Sequence, residues 1–189
     1  MGTIEQRVLK NSDFRPLIYG RYIDDIFVDV RNKQELSDLQ VAFQQNSCLR
    51  FTAEINNNGS LPFLDVMVTA AQDEFRTTVY TKETNTGMCL NANSEAPAKY
   101  MKSVINAYIH RAFTHCSSWT SLHTELERCA QVLVNNGYSN NDIQEVIRKK
   151  MDSFLHPKEK GERKNVLKLY YRNYMSTAYK TDEKYFEKL

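Results

Sequence analysis

The stretch Leu17–Val30 has the sequence LIYGRYIDDIFVDV, in which two runs of β-branched and aromatic residues flank a pair of adjacent aspartates. Such runs favour β-strands, and the polar pair between them favours a tight turn. The stretch therefore predicts a β-hairpin with Asp24 and Asp25 at its tip. Only a turn can bring both carboxylates toward one cation, because neighbouring strand side chains point to opposite faces. Mg²⁺ takes oxygen ligands of this kind, and the alternative is a solvated acidic turn.

Helical and strand patterns continue on both sides of this hairpin. Residues 2–10 and 33–45 carry apolar residues at helical spacing. Alternating patterns predict strands over residues 50–56 and 61–68, the second paired with a strand over 75–82 across a short turn. Residues 83–95 are polar and predict a loop. We therefore expect an α+β fold, with a small antiparallel sheet and a packed helix in the first half.

From Pro97 onward the apolar period becomes helical. Three helices are predicted, the third over residues 139–152 after a capping box formed by Ser139 and Asp142, and Gly137 is placed to end the second. The residues predicted to face their core are Met101, Val104, Ile105, Tyr108, Ile109 and Ala112, then Leu122, Leu126, Cys129 and Leu133, then Ile143, Val146, Ile147 and Phe154. Beyond them we expect a linker over 156–164, a short strand over 166–174 and a helix over 182–189.

The composition limits the class of protein. A chain of 189 residues predicts one domain or a pair of small lobes. No apolar run approaches the roughly 18 residues of a membrane span, and we expect no secretory signal and no membrane partner. The four cysteines are widely spaced, which favours reduced thiols in an intracellular protein, nuclear or cytoplasmic.

The charge is distributed unevenly along the chain. Residues 148–188 contain twelve Lys or Arg against six Asp or Glu, whereas residues 1–147 contain thirteen against seventeen. A basic end behind a mildly acidic body is compatible with a surface that contacts phosphates, and equally with a solvated helical face.

The order of motifs resembles the reverse transcriptase of Penelope-like retroelements. The motifs, in chain order, are RYIDDIFV at residues 21–28, FTAE at 51–54, GSLPFLDV at 59–66, VYTKETNTG at 79–87, NSEAP at 93–97 and HRAF at 110–113. The combination is more specific than the Tyr-x-Asp-Asp element alone, and it covers most of residues 4–150. The resemblance implies the C-terminal half of a polymerase palm over residues 1–96, a helical thumb over 97–155 and a basic tail over 156–189.

This resemblance also implies roles for individual residues. Asp24 and Asp25 would be the catalytic carboxylates that hold Mg²⁺ for two-metal nucleotidyl transfer. A primer-grip-like hairpin would include Leu61, Pro62, Phe63, Leu64 and Asp65, although Phe63 and Leu64 also suit an ordinary core. The expected contacts to an RNA–DNA hybrid or DNA duplex are Tyr22, Lys82, Lys99, Lys102, Arg111, Lys149 and Lys150, with solvated charge as the alternative for each lysine and arginine.

The segment before the hairpin departs from that family. An intact palm takes a further aspartate from an earlier strand and selects nucleotides with fingers, whereas only residues 1–20 precede the hairpin. We therefore expect weak or absent Mg²⁺ binding, no polymerase activity by the chain alone, and a missing fingers-and-palm portion as a candidate partner.

Three other interpretations stay open. The helices with the turn at residues 135–138 also resemble a helix-turn-helix, whose third helix would present Asn140, Asn141, Gln144, Arg148, Lys149 and Lys150 to DNA. A metal site could be sought among His110, His115, Cys116, His123 and Cys129, although their spacing fits no standard zinc pattern. The chain could also be a domesticated element relic that acts as a protein-interaction domain.

Overall fold

The computed structural model describes residues 2–11, 16–56, 59–71 and 74–157, which form five helices and five strands. The predicted α+β class is confirmed, with small antiparallel sheets in the first half and helices in the second. The chain divides into two compact units, Met1–Phe75 and Arg76–Leu189. The tail elements predicted beyond residue 157, and the turn residues 57–58 and 72–73, lie outside the described residues.

The first unit begins with a helix, a hairpin and a second helix. Its elements are α1 (Gly2–Asn11), β1 (Ile18–Tyr22), β2 (Asp25–Asp29) and α2 (Lys33–Gln45). Val8 of α1 packs with Leu39 and Phe43 of α2 in a small buried core. Helix α2 begins after Asn32, whose side-chain oxygen accepts a hydrogen bond from the Glu35 N–H at 2.9 Å, as a good N-cap does. The predicted hairpin and both helices are confirmed.

The strand predicted over residues 50–56 is wrong. This segment forms no strand, because side chains of α2 bond its backbone at Phe51. Gln40 donates to the carbonyl oxygen of Phe51 at 2.8 Å, and Gln44 accepts from the Phe51 N–H at 3.2 Å. The Phe51 ring packs against Phe43 with centroids 5.1 Å apart. The alternation in sequence therefore reflects docking on a helix and not membership of a sheet.

The single strand predicted over residues 61–68 is also wrong, because the chain reverses in its middle. Strands β3 (Ser60–Phe63) and β4 (Val66–Ala71) pair antiparallel around a turn at Leu64 and Asp65. Leu64 adopts φ 55°, a left-handed conformation that leucine rarely takes, so the turn carries none of the usual Gly or Asn signal. A further strand, β5 (Glu74–Val79), gives the sheet order β3-β4-β5, and the boundary between the units falls within it.

The second unit contains a bundle of three helices. They are α3 (Ala98–His115), α4 (Trp119–Asn135) and α5 (Asn140–Leu155). Most of the predicted core is confirmed, and Ile109, Leu133 and Ile143 are fully buried at its centre. Gly137 lies in the turn after α4 with φ 86°, a conformation that glycine adopts freely. No helix in the described part of the chain is long and apolar enough to span a membrane.

Two details of α5 differ from the prediction. Ser139 precedes the helix but makes no side-chain capping bond, so the predicted capping box is wrong. The helical period places Phe154 toward the core, yet 53% of its surface is exposed, because it lies in the last turn of α5, outside the buried cluster. It contacts the rings of Phe113 and Trp119 instead, with centroid distances of 5.7 and 5.8 Å.

Candidate nucleic-acid interface and carboxylate hairpin

The predicted carboxylate pair lies at the tip of the β1–β2 hairpin. Strand residues Ile18 to Tyr22 pair with Asp29 to Asp25, and the turn consists of Ile23 and Asp24. Tyr22 pairs with Asp25, and both side chains are exposed, as is Asp24. Ile23 has φ 54°, which is an outlier for a β-branched residue. The structure thus places Tyr22, Asp24 and Asp25 together in solvent, at the end of one hairpin.

Hydrogen bonds from Arg21 and Tyr19 to Glu5 of α1 support this hairpin, and no sequence pattern predicts them. The Arg21 guanidinium donates from Nε to Glu5 of α1 at 2.5 Å and from Nη1 to the Ile23 carbonyl oxygen at 2.8 Å. Tyr19 donates its hydroxyl to the same Glu5 oxygen at 2.8 Å. Burial alone would raise the pKa of Glu5, but hydrogen bonds from Arg21 and Tyr19 outweigh it and lower that pKa. An acidic residue and an arginine sixteen positions apart give no sequence signal of such contact.

The fit of this hairpin to a metal can be tested from its ligands. Two carboxylates supply the oxygen donors that Mg²⁺ prefers, but it usually completes its shell with water or substrate phosphates. Among the residues that the structure describes, no group of three or more His, Cys, Asp or Glu is placed to hold a metal ion. Asp24 and Asp25 therefore match the donor chemistry of Mg²⁺ only in part.

The same criterion bears on the alternative zinc site. The candidates His110, His115, Cys116, His123 and Cys129 form no ligand group of three within the described residues. Cys129 packs in the helical core, where burial and the neighbouring Glu125 carboxylate raise the pKa of its thiol to about 12. A thiol that resists deprotonation is a poor metal ligand, since the thiolate is the binding form. Packing accounts for Cys129.

The residues predicted as a primer grip form the tip of the β3–β4 hairpin. Leu61 and Phe63 are half-buried and lie in β3, and Phe63 packs on Phe27 of β2 with centroids 5.5 Å apart. Pro62, Leu64 and Asp65 are exposed. Phe63 thus contributes to packing within the first unit, whereas the tip residues remain available to solvent.

Residues in the turn between α4 and α5 form hydrogen bonds with the loop that precedes α3. The Asn136 side chain donates to the Gly87 carbonyl oxygen at 2.9 Å and accepts from the Cys89 N–H at 3.1 Å. The backbone carbonyl of the same residue accepts from the Ala92 N–H at 2.9 Å, and the Tyr138 hydroxyl donates to the Leu90 carbonyl oxygen at 2.7 Å. Residues 87–92 are therefore part of the helical unit, although their composition predicts only a loop.

Helices α3 and α5 border an open groove of about 380 Å³. Its polar lining comes from Ser103, Asn106 and His110 of α3 and from Lys150 of α5. Lys99 and Lys102 precede Asn106 and His110 at helical spacing, and all four are exposed. The side of α3 that borders the groove thus carries cations and hydrogen-bond donors along three turns.

The predicted phosphate contacts differ in how available they are. Lys102 and Lys150 form no ion pair with any residue that the structure describes. Lys99 lies over the Tyr100 ring, 5.1 Å from its centroid, and Lys82 is in the loop before α3. Lys149 pairs with Glu145. Arg111 is half-buried and donates to the Tyr80 carbonyl oxygen at 2.6 Å, so it supports the fold of the unit.

The pKa of Glu145 reflects the positive charges around this side chain. A hydrogen bond from Lys149 and the charges of Lys149, Lys102 and Arg148 lower the pKa of its carboxyl. Lys102 belongs to α3 and Arg148 to α5, so positive charge from both helices reaches this one carboxylate. Basic side chains of both helices therefore act on this carboxylate, although α5 itself carries three acidic and three basic residues.

Comparison with known protein families gives a match in the helical unit. Residues 88–148 match the animal helix-turn-helix domain family, a range that covers most of the loop bonded to Asn136, helices α3 and α4, and most of α5. No curated protein and no solved structure matches the chain. The match supports a helix-turn-helix module in the second unit.

Proposed function

We propose that the chain binds duplex nucleic acid through its helix-turn-helix unit, with the phosphate backbone along the groove between α3 and α5. The observation that carries the proposal is the exposed line of Lys99, Lys102, Asn106 and His110 beside Lys150. Lysines give strength to phosphate contacts, whereas side-chain hydrogen-bond donors such as Asn fix the position of the backbone.

The charges of the three helices support this choice of surface. Helix α3 contains three Lys or Arg and no Asp or Glu, whereas α4 contains one basic and two acidic residues. A polyanion is therefore attracted to α3 and repelled by the outer face of α4. The C-terminal half of α5 adds Lys150 to the lining of the groove, and Arg148 and Lys149 precede it in the same turn.

The first half of α5 offers the means to read bases. Asn140, Asn141 and Gln144 are exposed there, and Asn or Gln can bond adenine in the major groove. Helix-turn-helix proteins place the first half of the motif's second helix, which is α5 in this chain, against base edges. Asp142 and Glu145 lie among these amides and oppose close approach to phosphates. We therefore assign the affinity to the backbone contacts and expect little sequence preference.

The test is a salt titration of duplex binding. The variant Lys99→Gln/Lys102→Gln/Lys150→Gln should weaken binding, and its slope of log affinity against log salt should fall by about 0.9 for each phosphate that is no longer neutralised. The matched control is Arg31→Gln/Lys33→Gln/Arg50→Gln, which removes three exposed charges from the first unit. Equal weakening in both variants, or no binding by the unaltered chain at low salt, would refute the proposed groove.

A second experiment separates backbone binding from base readout. The chain is offered an RNA–DNA hybrid, random-sequence DNA duplex and a randomised DNA pool for selection. Uniform recovery of the pool with preference for the hybrid supports contacts to backbone shape. Enrichment of a defined motif that disappears on changing Asn140, Asn141 and Gln144 to Ala would instead establish major-groove readout, where one good contact discriminates by about 1–3 kcal/mol.

We propose, as a second function, that the first unit is the metal-binding part of a Penelope-like reverse transcriptase palm. The specific support is the hairpin that the Arg21 hydrogen bonds hold in place, with Asp24 and Asp25 exposed beside Tyr22. The chain is mixed with a separately expressed fingers and first-palm portion from such an enzyme, and primer extension is measured with Mg²⁺ or Mn²⁺. Extension that disappears in Asp24→Ala is expected, whereas extension that survives this substitution would refute the role.

A further inference from the structure

Two exposed aromatic residues lie at one end of the α3–α5 groove. Trp119 at the start of α4 and Phe154 near the end of α5 are 57% and 53% exposed, and their rings meet edge to face. Phe154 also packs on Phe113, which fixes the pair to the buried core. Large apolar side chains grouped on a surface commonly mark a binding site.

The aromatic pair continues the line of the groove. His110 and Lys150 line the groove, and one helical turn further along α3 and α5 lie Phe113 and Phe154, which contact each other. A cation and a histidine are therefore followed, on the same two helices, by an aromatic surface. A ligand that extends from the groove in this direction passes from positive charge onto exposed rings.

We propose that Trp119 and Phe154 stack against unpaired bases of a nucleic acid whose phosphates occupy the groove. A basic groove that ends in aromatic side chains is the combination used to bind single strands, because every base has a face that can stack. This inference rests on the proposed duplex binding, and it adds the partner's form, a duplex with a single-stranded extension.

Trp119 makes the test direct, because it is the only tryptophan in the chain. Three labelled DNA duplexes are titrated into the full chain: blunt, with a four-nucleotide extension, and with an extension of four abasic sites. The abasic extension has the same phosphates without bases. We expect the base-bearing extension to quench Trp119 fluorescence and to bind on the order of tenfold more tightly than the abasic one.

Variants assign the effect to the two rings. Trp119→Ala and Phe154→Leu should each reduce the preference for bases over abasic sites, measured by anisotropy of the labelled duplex, while Trp119→Phe should retain most of it. Val134→Ala is the matched control, because Val134 is also an exposed apolar residue of α4. Circular dichroism checks that each variant keeps its helices, and blunt-duplex affinity should stay unchanged in all of them.

Several outcomes would overturn the inference. Equal affinity for the base-bearing and abasic extensions, with unchanged fluorescence, would exclude stacking. Tryptophan emission that is blue-shifted and protected from acrylamide in the free chain would mean that another part of the protein already covers the pair. Loss of blunt-duplex binding alone contradicts the proposed groove and not the stacking, since a single-stranded oligonucleotide can still quench Trp119.

Discussion

Replacement of Asn136 by Ala should destabilise the second unit by about 2–4 kcal/mol. The substitution removes side-chain bonds to Gly87 and Cys89, residues 49 and 47 positions away, and a bond to the Val132 carbonyl oxygen. The bond to Val132 contributes little, because the Asn136 N–H already reaches the same oxygen at 3.2 Å. The bond to Gly87 contributes about 1 kcal/mol, and loss of the bond from Cys89 leaves that half-buried N–H without a partner, at a cost of about 1–3 kcal/mol.

The assay combines denaturant unfolding with hydrogen exchange. Urea unfolding followed by Trp119 fluorescence reports the second unit, since that unit contains the only tryptophan. Amide exchange at Cys89 should accelerate more than exchange at Ala92, whose N–H bonds the backbone carbonyl of Asn136 and keeps its acceptor. The matched control is Asn135→Ala, which removes only a surface bond from Gln131 and should cost less than about 0.5 kcal/mol. Equal effects of the two substitutions, or unaltered Cys89 exchange, would refute the reasoning.

Three further perturbations concern burial, backbone geometry and titration. Ile109→Ala empties the centre of the helical core, where the side chain is fully buried, and should cost about 2–5 kcal/mol in urea unfolding, whereas Ala107→Gly on the exposed side should cost about 1 kcal/mol. Gly137→Ala should lower the melting temperature through a cost of about 1–2 kcal/mol, because φ is 86° and the new Cβ would lie 3.3 Å from Asn93 Nδ2; an unchanged melting temperature would contradict the turn geometry. The pKa of Cys129 is about 12 in the folded chain against 9 when unfolded, so the fold favours the protonated thiol. The contribution of this thiol to folding stability is therefore complete below pH 9 and is lost as pH rises toward 12. Urea unfolding of the unaltered chain and of Cys129→Ala should therefore converge above pH 9, and a constant difference would count against burial of the thiol.

Sequence patterns predict the elements that depend on local periodicity. The β1–β2 hairpin and all five helices follow from runs of strand-forming residues or from apolar residues at helical spacing. Sequence patterns do not predict the backbone conformation where it depends on hydrogen bonds from residues distant in sequence. The segment after α2 alternates like a strand but bonds to Gln40 and Gln44, and no local signal distinguishes the two. The turn at Leu64 escapes prediction because its left-handed position is occupied by leucine and not by Gly or Asn.

The candidate site likewise contains features that the sequence predicts and features that it does not. The adjacent aspartates are predictable because their position between two strand-forming runs is a local feature. The Glu5–Arg21–Tyr19 contacts beneath them depend on α1 and β1 meeting in space, which spacing along the chain does not reveal. The exposure of Phe154 escapes prediction for a related reason, since helical period gives the face of a residue but not where the opposing helix ends.

The contacts of Asn136 and Tyr138 bear on the binding proposals for the second unit. They join the loop at residues 87–92 to the turn between α4 and α5, while Ile105, Ile109 and Ile143 join α3 to α5 in one core. The groove lies between α3 and α5, and the aromatic pair joins α5 to the start of α4, so their separation is fixed by the core of the bundle and not by a mobile connection. A fixed separation suits a ligand of regular repeat such as a nucleic-acid backbone. Whether the hairpin carboxylates also act in polymerisation concerns the first unit together with a fingers and first-palm portion, and the Asp24→Ala comparison addresses that question independently of the groove variants.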